Sequence, residues 1–199
     1  MQLRSEITRT NIMASALIVF SKSGYDGATV DEICRESGIS KGAFYHHFPS
    51  KQSVFLTLLD DWLELLEKQI LAIQSESASA AEALLSMSAL VGRVVEDSRG
   101  RLPLFLEFWS HASRDPAVWQ ATIAPYQRYQ QLFSMLIEKG IQEGSIQCAD
   151  PALAARLLVS LAVGILLQAA IEPQSSDWHK TAEGSILLLL KGLERKNEL

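Results

Sequence analysis

Cysteine is nearly absent from this 199-residue chain: Cys34 and Cys148 are the two. Two thiols so far apart build no disulfide framework and no thiolate metal site. No segment before Ile12 pairs a charged start with an apolar core, so a cytoplasmic protein with reduced thiols is expected. Cys148 has no neighbouring base in the sequence to lower its pKa and reads as a packing residue. Proline and glycine are few and fall mostly at segment edges, and no glycine-rich loop cradles a phosphate. The one adjacent histidine pair, His46-His47, points about 100° apart on a helix and cannot share a metal. Glu107 and His111 lie four apart on one face but have no nucleophile motif or metal cluster to serve, so neither catalysis nor a cofactor is expected. Basic charge is in deficit, the formal net charge being −5. Long apolar runs are also scarce. The one that approaches a membrane span, from Leu153 to Ile171, is interrupted by Arg156, Ser160 and Gln168 and lacks an aromatic girdle, so burial is expected instead of a bilayer.

What is present concentrates between Thr29 and Lys51. Thr29 with Glu32 three residues on is a capping box, and Asp31 and Glu32 add negative charge where a helix dipole favours it. Gly38 supplies the positive φ that ends this helix. Ser40 caps a second helix from Lys41 to about His47, which Phe48-Pro49 terminates. Helices this short are marginal alone and need a neighbour, which the upstream stripe Ile12, Ala16 and Phe20 supplies before Gly24 closes it. Ile33, Ile39, Phe44 and Phe48 are the core partners of that stripe. Lys41, Gly42, Ala43, Tyr45, His46 and His47 are left outside, as in a helix-turn-helix that offers its second helix to DNA.

These pieces, in order and spacing, resemble the DNA-binding domain of the TetR (tetracycline repressor) family of bacterial transcription regulators. The resemblance is carried by Ala16 to Phe20 before Gly24-Tyr25, Ala28-Thr29-Val30 leading to Ile33, Ser37 to Gly42, Phe44 to Phe48, and Ser50-Lys51. It implies that the Thr29 and Tyr45 hydroxyls and Lys51 meet phosphates, that Lys41, Gly42, Ala43, Tyr45 and His46 enter the major groove, and that Ser40 belongs to the DNA-binding set. Such roles are physically reasonable, Ala43 against a thymine methyl included. Arg4, with Arg9, is also placed for phosphates. Two departures stand out: Ser53, where the family often has an acidic residue, predicts a missing capping box at Ser50, and Cys34 replaces a small apolar residue. Residues 1–55 carry six Lys/Arg against five Asp/Glu, while the remainder is acidic. DNA binding therefore rests on a few local cations, with a shallow salt dependence.

Downstream the periodicity is helical throughout, giving an all-α chain of about nine helices. A three-helix DNA-binding domain over 1–50 precedes a larger helical effector-binding and dimerisation domain over 51–199. The stripe Phe55, Leu59, Trp62, Leu66, Ile70 and Ile73 predicts one long helix from Ser50 to the polar stretch at Ser75–Ser79. Further helices follow over Ala80–Asp97, after Pro103, from Asp115-Pro116 to about Gly144 with a bend at Pro125, from Asp150-Pro151, and from Asp177. The last two are apolar enough to predict a homodimer built on a four-helix interface, with Leu157, Leu161, Gly164, Ile165, Ile186, Leu189 and Leu190 in it. Trp62, Phe105, Trp109, Tyr126, Tyr129 and Phe133 form aromatic stripes that suit either plain core or the wall of a small-molecule site. In the latter case Gln168, His111 or a tyrosine hydroxyl is the polar handle. The expectation is a homodimeric repressor on a near-palindromic operator, released by a small apolar effector. The alternative is a DNA-binding protein of the same fold controlled by a protein partner.

Overall fold

The computed structural model describes residues 2–97, 116–172, 174 and 177–194. Among the described residues the regular elements are eight α-helices. They are α1 (Gln2–Gly27), α2 (Val30–Ser37), α3 (Lys41–His47), α4 (Lys51–Glu76), α5 (Ala80–Asp97), α6 (Pro116–Gln142), α7 (Pro151–Ile171) and α8 (Trp178–Glu194). The helix expected after Pro103 lies outside the described residues.

The helix ends follow local chemistry. Thr29 Oγ1 accepts the Glu32 amide at 3.2 Å, and a Glu32 carboxylate oxygen accepts the Thr29 amide at 2.9 Å, closing the capping box. Ser40, Asp150 and Asp177 accept the amides of Ala43, Leu153 and Lys180. Gly38 ends α2 at φ 69°, and Gly24 breaks α1 at φ 72°, both in the left-handed region where a side chain is disfavoured. At the start of α4 the expected loss of the capping box is corrected. Ser53 Oγ accepts the Ser50 amide at 3.2 Å while Ser50 Oγ accepts the Ser53 amide at 3.1 Å, so two serines reproduce the reciprocal bonds. Helix α6 runs on through Pro125.

The chain forms two compact units. The first holds α1 to α3, α4 as far as Glu64, and the opening of α6 through Thr122; the second holds the rest. The two units divide inside α4, whose Val54, Phe55 and Leu59 belong to the first core. There Ile12, Ala16, Phe20, Ile33, Phe44, Phe48 and Phe55 are almost wholly buried. Phe20, Tyr25 and Phe55 contact one another at centroid separations of 5.3–5.7 Å. Each buried phenylalanine contributes about 1.5–3 kcal/mol, which holds two helices that have no stability of their own. In the second unit α5 packs most extensively on α8 and also on α7. One cluster there centres on Leu84, Leu136, Ile137 and Leu158, and another on Val95, Ile165, Ala169, Trp178 and Ala182.

Candidate nucleic-acid interface

The core dictates which side of α3 faces outward. Phe44 is fully buried and Phe48 nearly so, leaving Lys41, Gly42, Tyr45 and His46 exposed and Ala43 and His47 half-covered. Tyr45 is 54% exposed, its ring edge resting on Phe44 at 5.4 Å, so the phenol is held by the core yet open to solvent. At the start of α3 lies the amino end of α2, reached by Lys41 through Asp31, where Thr29 and Asp31 are exposed and the helix dipole is positive.

Several of these groups already have partners. Lys41 Nζ lies 2.6 Å from Asp31 Oδ1, a bridge between α3 and α2 whose two side chains are each more than half exposed. The bond to Asp31, reinforced by its charge, pushes the Lys41 pKa up. A bridge so exposed is screened by solvent and adds little stability, so a phosphate can replace the carboxylate. The Thr29 hydroxyl and the Thr29 amide both donate to Glu32 Oε2, at 2.8 and 2.9 Å, and these bonds, the hydroxyl's first, hold the Glu32 carboxyl below its ordinary pKa. Ser40 Oγ is engaged as the α3 cap.

Lys51 departs most from expectation. Its ammonium donates to the carbonyls of Tyr25, Asp26 and Ala28 at 2.7, 3.2 and 2.8 Å and lies 4.7 Å from the centroid of the Tyr25 ring. Three donors meet three acceptors at the carboxyl end of α1, so in this structure Lys51 caps the α1–α2 corner and offers no free donor to a phosphate. Burial, then the charge of Asp26, pushes the Tyr25 phenol up to about 12. Asn11, which no motif singles out, donates through Nδ2 to the Ser37 carbonyl at 2.8 Å and ties α1 to the end of α2. Twenty-six positions separate the two, and no local pattern marks such a bond. The guanidinium of Arg9 sits 5.1 Å from the Phe48 ring centroid. The side chain of Arg4 lies outside the described residues, as do Phe105, Trp109 and His111.

Other expected sites separate on inspection. Trp62 packs at the edge of the first core, while Tyr129 and Phe133 pack against the main core of the second unit and Tyr126 is half-buried. Burial, then Glu67, pushes the Tyr129 phenol well above its ordinary value. Gln168 is exposed and donates to its own helix at Gly164, so it is not a handle in an interior site. The expected dimer set needs correction too. Leu157 is 47% exposed, but Ile165, Ile186 and Leu190 are buried in their own chain, and Leu161 and Leu189 are partly packed there. The uncovered stripe is instead Leu153, Leu157, Leu167 and Ile171 on α7 with Leu187 and Leu188 on α8. Gly164 and Gly184 have open space where a Cβ would stand. Helix α7 is long and apolar enough to cross a membrane by length and composition. Its buried face, from Ala154 to Ala169, packs in the second unit. Among the described residues no cluster of His, Cys, Asp or Glu could hold a metal.

Residues 12–58 match the profile described as bacterial regulatory proteins, tetR family, and residues 80–183 match the BetI-type transcriptional repressor C-terminal profile. The regulator UidR of Escherichia coli is 26% identical over 168 residues, covering 83% of either chain. A TetR regulator from Haloarcula marismortui superposes with a TM-score of 0.84 at 19% identity, covering 94% of this chain and 98% of its own. FadR of Bacillus subtilis, solved with stearoyl-CoA, gives 0.77 at 20% identity, covering 93% and 99%. With both halves matched, and with a helix-turn-helix that leaves its second helix outward, the chain belongs to the TetR family of DNA-binding transcriptional regulators.

Proposed function

We propose that the chain is a cytoplasmic homodimeric repressor that binds a near-palindromic operator through α3 and is released by a small, largely apolar effector. The outward face of α3, with Tyr45 held by the core and open to solvent, carries the DNA-binding part of this reading. Lys41, Gly42, Ala43, Tyr45 and His46 face the groove, while Arg4, Arg9, Lys41, Tyr45 and the amino end of α2 at Thr29 meet phosphates. The uncovered α7 and α8 stripe supports pairing with a second copy through a four-helix interface, because a contiguous leucine-rich face is unstable in water. Repression is supported by the carboxyl-terminal profile, whose description is of repressors. The effector reading draws on the half-buried aromatics Tyr126, Tyr129 and Phe133 and on the acyl-CoA in the FadR structure. An effector acts by binding the operator-free arrangement more tightly, which shifts the population away from DNA.

Selection of duplexes from a random library by the purified protein, followed by challenge of the complex with long-chain acyl-CoA and other apolar compounds, tests each step. The expected result is an enriched inverted repeat that one compound displaces. No enrichment at low salt would overturn the DNA-binding geometry. An inverted repeat that no compound displaces would favour control by a protein partner.

A further inference from the structure

We propose that Lys51 is a positioning residue for DNA recognition: it locks the first turn of α4 to the α1–α2 corner, so that α2 presents its amino end at a fixed place, and it neutralises no phosphate. The inference rests on the DNA-binding reading of this helix-turn-helix. Beyond the break of α1 at Gly24 the Lys51 ammonium gathers the carbonyls of Tyr25, Asp26 and Ala28 at 2.7–3.2 Å. Ala28 immediately precedes Thr29, the cap of α2, so the bond to its carbonyl fixes the residue from which α2 starts. The other end of the link is equally firm. Lys51 is the first residue of α4, where Ser50 and Ser53 exchange two amide-to-hydroxyl bonds and Val54 and Phe55 are buried. Phe55 and Tyr25 meet edge to face at 5.3 Å, so the lysine stem runs beside an aromatic contact joining the same two segments. An ammonium with three hydrogen bonds and a ring beside it reaches a phosphate only by giving up the corner.

The two roles predict opposite outcomes. Operator affinity of the full-length protein is to be measured across KCl concentrations for the wild type, Lys51→Met, Lys51→Arg and Lys41→Ala. A positioning lysine predicts that both Lys51 variants lose about five- to tenfold in affinity at every salt concentration while the slope of log K against log[KCl] is unchanged. Arginine fails despite its charge, because a planar fork cannot converge on three carbonyls around one point. Lys41→Ala, by contrast, flattens the slope by about 0.9 per subunit. A flatter slope in Lys51→Met with affinity restored in Lys51→Arg overturns the proposal. Hydrogen exchange of the free proteins provides a readout independent of DNA. The Val30–Ile33 amides are expected to exchange faster in Lys51→Arg with α3 and α4 unchanged, and uniform protection or uniform loss refutes the positioning role. Failure of the wild type to bind any duplex would count against the DNA-binding reading, whereas the exchange result judges Lys51 by itself.

Discussion

The capping box at Thr29 ties one side chain to both the stability and the pH response of α2. Because hydrogen bonds from Thr29 lower the Glu32 pKa in the folded state, the contribution is complete above the ordinary carboxylate range and is lost as pH falls through the folded value. Glu32→Gln is therefore expected to be less stable than wild type at neutral pH, with the gap narrowing as pH falls below the ordinary carboxylate range, checked by urea midpoints across an acid pH series. A gap that persists in acid would assign the effect to something other than the carboxylate. Thr29→Ala removes the other half of the box and should cost about 1 kcal/mol in the same titration. Gly38 offers a simpler test. Nothing lies within 4 Å of where its Cβ would stand, yet φ is 69°, so Gly38→Ala incurs only the left-handed backbone penalty, about 1–2 kcal/mol by thermal melting.

Among the elements, those whose ends carry chemical signals were legible in the sequence. Thr29, Ser40, Asp150 and Asp177 open the helices expected of them, and the stripe Ile12, Ala16 and Phe20 chose the buried face of α1 because polar residues occupy the other sides. Where apolar residues run all round a helix, the pattern chooses no face. That is why Ile165, Ile186 and Leu190 were expected at an interface and are instead in the core, while Leu153 and Leu188 stand outside. The bonds of Lys51 were not legible for a different reason: its partners are backbone carbonyls, which leave no mark in side-chain identity. The corrected faces give a sharp comparison. Leu157→Asp with Leu188→Asp should yield a folded monomer in sedimentation, whereas Ile186→Asp or Leu190→Asp should unfold the chain by placing a charge among buried leucines. Equal behaviour of the two sets would reject the placement of the interface.

For the whole molecule, charge and pairing set the terms of DNA binding. Arg4, Arg9 and Lys41 are the cations proposed for phosphates, so a dimer's salt slope should be no steeper than about −5, read from titrations at several KCl concentrations. A much steeper slope would mean that other cations reach the duplex. The proposed pairing through α7 and α8 would also make stability depend on concentration, so the melting temperature should rise as protein concentration is raised. A melting temperature independent of concentration would indicate a chain stable alone. The uncovered leucine stripe has a further consequence for gene dosage. Below the pairing constant, the species that grips both operator halves falls with the square of the chain concentration, so operator occupancy responds to expression level more steeply than it would for a protein binding as a single chain. Halving synthesis in a sparsely supplied cell would remove about three quarters of the competent dimers, making the abundance of the regulator itself a control input.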